Sequence, residues 1–251
     1  MKLNLIMPMG GGGTRFLGFG FESPKPLIEI HGKPFFYWAT QSIVKFVDVE
    51  SLTFVVLQDH VDRFGIDKRI REYYPDAAIR VIPEVLPGAV LTCMEGLKEI
   101  DNNDAVLFND CDHLFLCDAL YDYIKAISEG KPDTEILDGA LLTFHSEDPR
   151  FSFVESDAEG YVTRTVEKEA ISTHAVCGAY LFKDRKTFED AVSVYLENCA
   201  YKEYFVSGVY NVLAGRGGKI RHFEVDAHDS FGTPEEYEAA KASDTYRKLT
   251  D

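Results

Sequence analysis

The stretch Ile6-Met7-Pro8-Met9-Gly10-Gly11-Gly12-Gly13-Thr14-Arg15-Phe16, with Pro24-Lys25-Pro26 shortly after it, decides how this chain is read. An apolar run through Leu3, Leu5 and Ile6 feeds directly into four glycines, so the backbone can turn tightly with its N–H groups inward and no Cβ in the way. Such a turn cradles phosphate. It differs from two common phosphate loops: a dinucleotide fingerprint needs a third glycine where Arg15 or Phe16 stands, and a P-loop needs Gly-Lys-Ser/Thr where Gly18-Phe19 stands. A fixed cation at Arg15 and a second at Lys25, on a loop bracketed by prolines, suit a polyphosphate whose charge must be neutralised while one bond breaks.

Outward from this loop, apolar runs bounded by turn residues alternate with helical patterns. Strands are predicted at 3–7, 52–57, 79–82 and 105–108, and helices at 35–46, 61–73 and 89–100. Alternation of this kind gives an α/β fold with a mostly parallel sheet covered on both faces. Ligands of such sheets bind beyond the carboxyl ends of the strands, where the glycine loop and Asp110-Cys111-Asp112 both fall. After a helix near 119–128 the texture changes. An apolar run at 139–144, a hairpin at 151–167 turning at Asp157-Ala158-Glu159-Gly160, a strand at 178–183, a helix at 187–198, a strand at 219–225 and a last helix opening with Pro234 are predicted.

With 251 residues, 45% of them hydrophobic, the chain can bury a sizeable core, and no linker or internal repeat divides it. A formal charge of −16 argues against nucleic acid as a partner, because a phosphate polymer wants a broad basic stripe, whereas a nucleotide needs only a few local cations. No apolar stretch is long enough to span a bilayer and the amino terminus lacks the pattern of a signal peptide, so no membrane partner and a cytoplasmic location are expected. Five cysteines without a Cys-x-x-Cys pair read as reduced structural thiols. Seven histidines without metal-ligand spacing make no case for zinc.

The glycine stretch resembles the signature of the sugar-phosphate nucleotidylyltransferases, Gly-Gly-x-Gly-Thr-Arg followed by Pro-Lys-Pro, and later segments resemble that family in its own order. Gly88-Ala89-Val90-Leu91-Thr92 resembles its nucleotide-base loop, Asn109-Asp110-Cys111-Asp112 its metal-binding strand end, Val166-Glu167-Lys168 its Glu-Lys pair, and Gly232-Thr233-Pro234-Glu235-Glu236 the start of its C-terminal helix. The resemblance covers essentially the whole chain. It implies a Rossmann-like three-layer sandwich of the GT-A-like kind, a single nucleotidyltransferase domain with a nucleotide-binding half (1–130) and an acceptor-binding half (131–251), and a metal-dependent transfer of NMP from a nucleoside triphosphate to a phosphorylated small molecule, usually a sugar 1-phosphate.

Roles for individual residues follow from chemistry and resemblance together. Met9, Gly10, Gly11, Gly12, Gly13 and Thr14 would hold the triphosphate, Arg15 would span oxygens of the leaving pyrophosphate, and Lys25 would neutralise charge at the α phosphorus. Asp110 and Asp112 end an apolar strand with two carboxylates, the natural partners of Mg²⁺, and the resemblance places the metal aspartate on Asp112. Relatives often carry an aspartate two residues before Gly-Thr-Pro; Ser230 stands there in this chain, which leaves Asp226 and Asp229 as candidates for the second metal ligand. Asp118 reads as a helix cap. Lys168, with Glu167, would bind the acceptor's phosphate, and Gly178 would either admit the acceptor closely or mark a strand bulge. Glu84, with Gly88 and Ala89, would read the base; an ionised carboxylate only accepts hydrogen bonds, which suits the exocyclic amine of cytosine and favours CTP. Phe19, Phe21, Phe35, Phe36, Tyr37 and Trp38 at helical spacing more often fill core than stack on a base and are assigned no role, and Tyr210-Asn211 resembles the family without an assigned role.

Two rivals remain open at this point. Asp110-Cys111-Asp112 is also an Asp-x-Asp motif of the kind that holds a metal on a nucleotide sugar in GT-A glycosyltransferases, and the same fold could serve as a catalytically silent sensor of nucleotide sugars. The glycine loop with Arg15 and Lys25 speaks against the first, because a nucleotide-sugar donor has no γ phosphate to hold.

Overall fold

A computed structural model describes residues 2–250, apart from the side chains of Thr14, Arg15 and Leu17. Strand β1 (Leu3–Met9) runs into the glycine loop and two short 3-10 turns, Thr14–Phe19 and Lys25–Leu27. A small ribbon of β2 (Glu29–Ile30) and β3 (Lys33–Pro34) leads to α1 (Phe35–Val44), and then come β4 (Ser51–Leu57), α2 (Gln58–Phe64), α3 (Ile66–Tyr73), β5 (Ala78–Ile82) and α4 (Ala89–Leu97). The chain continues through β6 (Ala105–Asn109), β7 (His113–Leu116), α5 (Asp118–Ser128), β8 (Gly139–His145), β9 (Ser152–Ser156), β10 (Val162–Glu167) and β11 (His174–Phe182). It closes with α6 (Arg185–Asn198), α7 (Val206–Gly215), β12 (Ile220–Glu224), β13 (Ala227–Ser230) and α8 (Pro234–Lys241).

The central sheet has nine strands: seven run in the order β12-β8-β11-β6-β1-β4-β5, and the hairpin of β9 and β10 joins through β9, which pairs with β11. It is mostly parallel: β1, β4, β5 and β6 run together and β8 pairs parallel with β12, while β11 opposes its neighbours β6, β8 and β9, and β10 opposes β9. Strand β1 lies at its heart, in parallel register with β4 and β6. Its side chains alternate as a strand buried on both faces requires: Leu3, Leu5, Met7 and Met9 join the core on the side of α1, α3 and α5, and Ile6 joins the core on the side of α4, α6 and α7. This is the three-layer α/β arrangement expected.

Three departures matter. The helix predicted over 61–73 is two helices, broken where Gly65 takes a left-handed conformation with φ 60°. The ribbon of β7 and β13, which stands off the main sheet, was not predicted, and neither was α7. Asp118 is not the cap of α5; it is the first helical residue, and the carboxylate of Asp226 accepts its N–H at 2.8 Å.

A third apolar cluster sits at the carboxyl end of the sheet. Phe16 from the glycine loop packs with Phe35 and Trp38 of α1, Leu114 of β7 and Phe231 just after β13. It fastens the glycine loop to the β7–β13 ribbon, and so fixes Lys25 against Asp112.

Candidate active site

The glycine loop turns where β1 ends. Among the described residues, the N–H groups of Gly11, Gly12 and Gly13 have no acceptor within the protein, as a cradle for an external anion requires. Gly13 takes φ 61°, and a Cβ there would stand 3.1 Å from the backbone nitrogen and Cβ of Lys25. The absence of a side chain therefore brings the loop down onto the Pro-Lys-Pro segment. Gly10 is buried behind the turn. The roles given to the side chains of Thr14 and Arg15 lie outside the described residues.

Lys25 reaches across to the end of β6. Its Nζ lies 2.7 Å from Asp112 Oδ2, and both side chains are about three-quarters buried. Burial alone would depress the lysine, but Asp112, Cys111 and Asp110 outweigh it and hold its pKa above the ordinary value. Burial opposes ionisation of Asp112 too, yet Lys25 and then His113 pull it down to about 2. Asp110 goes the other way: burial and the neighbouring Asp112 charge push it up to about 7 against the pull of Lys25. Two carboxylates with opposed shifts flank Cys111, whose thiol burial raises to about 12.

Asp110 is held from behind. Its N–H donates to Gly178 O at 2.9 Å, and a Cβ on Gly178 would stand 2.7 Å from Asp110 Oδ2. Gly178 has φ 86° and sits where the register of β11 against β8 slips, so it is a bulge glycine whose missing side chain makes room for Asp110. It also lines the cavity described below.

The structure does not bring either proposed second acid to Asp112. Asp226 is spent on the amino terminus of α5, at the far end of the β7–β13 ribbon. Asp229 pairs with Leu114 and points to the opposite face from its neighbours His228 and Ser230, which line the cavity with Asp112. The nearby carboxylate is Glu236. A Cβ on Gly232 would stand 2.6 Å from Asp112 Oδ2 and 3.4 Å from Glu236 Oε2, so the two acids face each other across that glycine. Glu236 is fixed there by the capping box of α8, which ties its carboxylate to the N–H of Thr233 at 3.0 Å, and by Ser230 Oγ at 2.9 Å. Asp110, Asp112 and Glu236 are oxygen donors of the kind Mg²⁺ takes and all line the cavity beside them, but their carboxylates are not close enough to one another to make a preformed three-ligand site.

Beside these acids opens a cavity of about 590 Å³, walled by Asp112, Arg150, Glu167, Lys168, Tyr180 and His228 among others. Glu167 and Lys168 are not partners in an ion pair. The Glu167 carboxylate accepts from the hydroxyls of Ser152 and Ser207, while Lys168, exposed, places Nζ 5.2 Å from the centre of the Phe205 ring. Lys168 also holds φ 59°, a strained conformation for a side-chain-bearing residue, pinned by its N–H on Phe151 O at 3.0 Å. Arg150 enters from the 146–151 loop, clamped by Asp148 at 2.8 Å and reaching Glu236 at 3.3 Å. Burial depresses His113 to about 4, despite Asp112 and hydrogen bonding to the backbone at Cys177 and Asp110, and lowers His228 to about 3.

The residues that resemble a nucleotide-base loop follow β5. Gly88 caps α4 and is braced by Tyr204, whose N–H donates to Pro87 O and whose carbonyl accepts from Val90, both at 3.1 Å. Ala89 opens the helix, and Glu84 is exposed. Arg150, His113, His228 and Glu236 had no role in the sequence reading; only Glu236 carried a signal, as the fourth residue of a Thr-x-x-Glu capping box.

A glycine loop at the end of β1, a Lys-Asp pair beside it and an adjoining polar cavity stand together in an α/β fold, an arrangement that suits an enzyme of the nucleotidyltransferase type. The chain belongs to the nucleotidyl transferase family, whose model matches residues 3–246. No curated protein matches its sequence significantly. Among solved structures it is similar to the nucleoside-diphosphate-sugar pyrophosphorylase from Vibrio cholerae RC9, with a TM-score of 0.81 and 21% identity over 95% of this chain and 100% of that one. It is also similar to the inositol-1-phosphate CTP transferase from T. maritima, with a TM-score of 0.72 and 14% identity over 99% of this chain and 94% of that one.

Proposed function

We propose that this chain transfers NMP from a nucleoside triphosphate to a sugar phosphate or other phosphorylated small molecule and releases pyrophosphate. The observation that carries this reading is the Lys25–Asp112 pair, set between a glycine loop whose N–H groups have no acceptor among the described residues and a cavity that holds a second cation, Lys168. In this reading the loop and Arg15 take the β and γ phosphates, and Lys168 takes the acceptor's phosphate. An oxygen of that phosphate attacks the α phosphorus in line, the bond from the α phosphorus to the bridging oxygen breaks, and the electron pair leaves with pyrophosphate.

The nucleophile is already ionised at neutral pH, so no general base is needed. Catalysis then rests on positioning and on neutralising charge. Asp110, Asp112 and Glu236 would hold Mg²⁺, which supplies positive charge to the phosphate oxygens when bound. Lys25, held beside Asp112 at 2.7 Å, would neutralise charge at the α phosphorus.

The acceptor cavity draws on both halves of the chain, with Asp110 and Asp112 from the first and Lys168 and His228 from the second. CTP is the proposed nucleotide, from Glu84 as an acceptor-only group beside the proposed base loop. A matrix of nucleoside triphosphates against phosphorylated acceptors, read as pyrophosphate released with and without chelator, tests the reading. Acceptor-dependent release that chelator abolishes is expected. Nucleotide binding without release, or sugar transfer from a nucleotide sugar, would contradict it.

A further inference from the structure

Spacing along the chain hides a cluster that the fold assembles. His113 from β7, Cys177 from β11 and His228 from β13 bring their ligating atoms within 4.8 Å of one another. His113 and Cys177 are buried. The Nε2 of His228 is sealed from solvent and has no hydrogen-bond partner, although its ring is locked edge-on against His113 and over Phe144, with centroids 5.8 and 4.4 Å apart. A buried ring nitrogen left unpaired costs free energy, so packing alone does not explain its placement.

The surroundings are those of a ligand sphere. His113 Nε2 lies 3.0 Å from Asn109 Oδ1, and Asn109 is itself fixed by its Nδ2 donating to Ala39 O at 2.8 Å. Partners of this kind orient metal-bound imidazoles. All three residues line the cavity, which leaves the fourth side of the cluster open to it.

We propose that His113, Cys177 and His228 bind a thiophilic divalent cation such as Zn²⁺ at the floor of the cavity, with three protein ligands and one open position. Two imidazoles and a thiolate select zinc or cobalt, whereas Mg²⁺ prefers oxygen donors such as carboxylates. As the sulfur–metal bond forms, the Cys177 proton leaves to solvent. Donors around zinc stand roughly 3.5 Å apart given bonds of roughly 2.0–2.3 Å, so the three side chains draw together on binding.

The test uses the intact chain, stripped with chelator, kept reduced and titrated with Co²⁺ in excess Mg²⁺. Uptake of one equivalent with a thiolate-to-cobalt charge-transfer band, displaced by Zn²⁺, is expected. Cys177→Ser should remove the band, Asn109→Ala should weaken binding roughly 10- to 100-fold, and Asp112→Asn should keep the band. No band in the wild-type protein at millimolar Co²⁺, or a band that persists in Cys177→Ser, overturns the proposal. Should Cys177→Ser fail to fold, His228→Gln decides instead: weakened binding supports the site, and unchanged affinity overturns it. The readout needs no turnover, so it stands apart from the nucleotidyl-transfer reading.

Discussion

Lys25→Met separates two tasks carried by one ammonium. In the free protein Nζ sits 2.7 Å from Asp112 Oδ2, the oxygen that a metal would take. Together with His113 it holds Asp112 at about 2 against an ordinary value of 3.8. At about 1.36 kcal/mol per pKa unit that displacement is worth about 2–3 kcal/mol, an upper figure because water still reaches both side chains. The variant should therefore lose about 1–3 kcal/mol of stability at neutral pH. Because the folded pKa of Asp112 is depressed, this contribution is present above its ordinary pKa and disappears as pH falls through about 2, so wild type and variant should converge in acid. Turnover should fall roughly 100- to 1000-fold, the usual cost of one electrostatic group at a reacting phosphorus. Mg²⁺ affinity should rise, because a competing cation has gone. Denaturant melts across that pH range, pyrophosphate release and calorimetric Mg²⁺ titration read the three effects. Wild-type turnover, or weaker Mg²⁺ binding, would refute the reasoning.

Asp110→Asn should stabilise the metal-free protein increasingly as pH rises from about 4 to about 7, by on the order of 1–4 kcal/mol, because a carboxyl whose folded pKa is raised to about 7 costs stability once it must ionise; a pH-independent difference in thermal melts would sink this. Lys168→Ala should raise the KM for the acceptor far more than for the triphosphate, and equal effects in steady-state kinetics would move Lys168 out of the acceptor site. Gly178→Ala combines φ 86° with a Cβ 2.7 Å from Asp110 Oδ2, so it should cost at least about 1–3 kcal/mol and weaken Mg²⁺ binding; a melt and titration matching wild type would show that Asp110 is not held by this bulge. CTP should be used better than UTP or dTTP, with Glu84→Gln narrowing the gap, as competition assays would show; a preference for UTP or dTTP removes Glu84 from base reading.

Much of the fold and part of the site could be read from local signals. Four glycines after an apolar strand, a lysine between prolines and an Asp-x-Asp at a strand end are contiguous patterns, and the structure places all three at the carboxyl end of one sheet. What escaped was made by pairing between distant segments. The polar run Ala227–Ser230 has no strand signature, and it becomes β13 only because β7 offers it an antiparallel edge. That pairing sends Asp226 to the end of α5, turns Asp229 away and brings His228 to His113. Gly232 then lets Glu236 face Asp112, an approach that depends on an absent side chain and leaves no mark in composition.

The most direct test of nucleotidyl transfer follows the α phosphorus. Purified chain is incubated with Mg²⁺, a phosphorylated acceptor and nucleoside triphosphate labelled at either the α or the γ phosphate. The α label should move into the acceptor product in step with γ label appearing in pyrophosphate, one for one, and chelator should stop both. Label released as free NMP or inorganic phosphate, with none joined to the acceptor, would contradict nucleotidyl transfer.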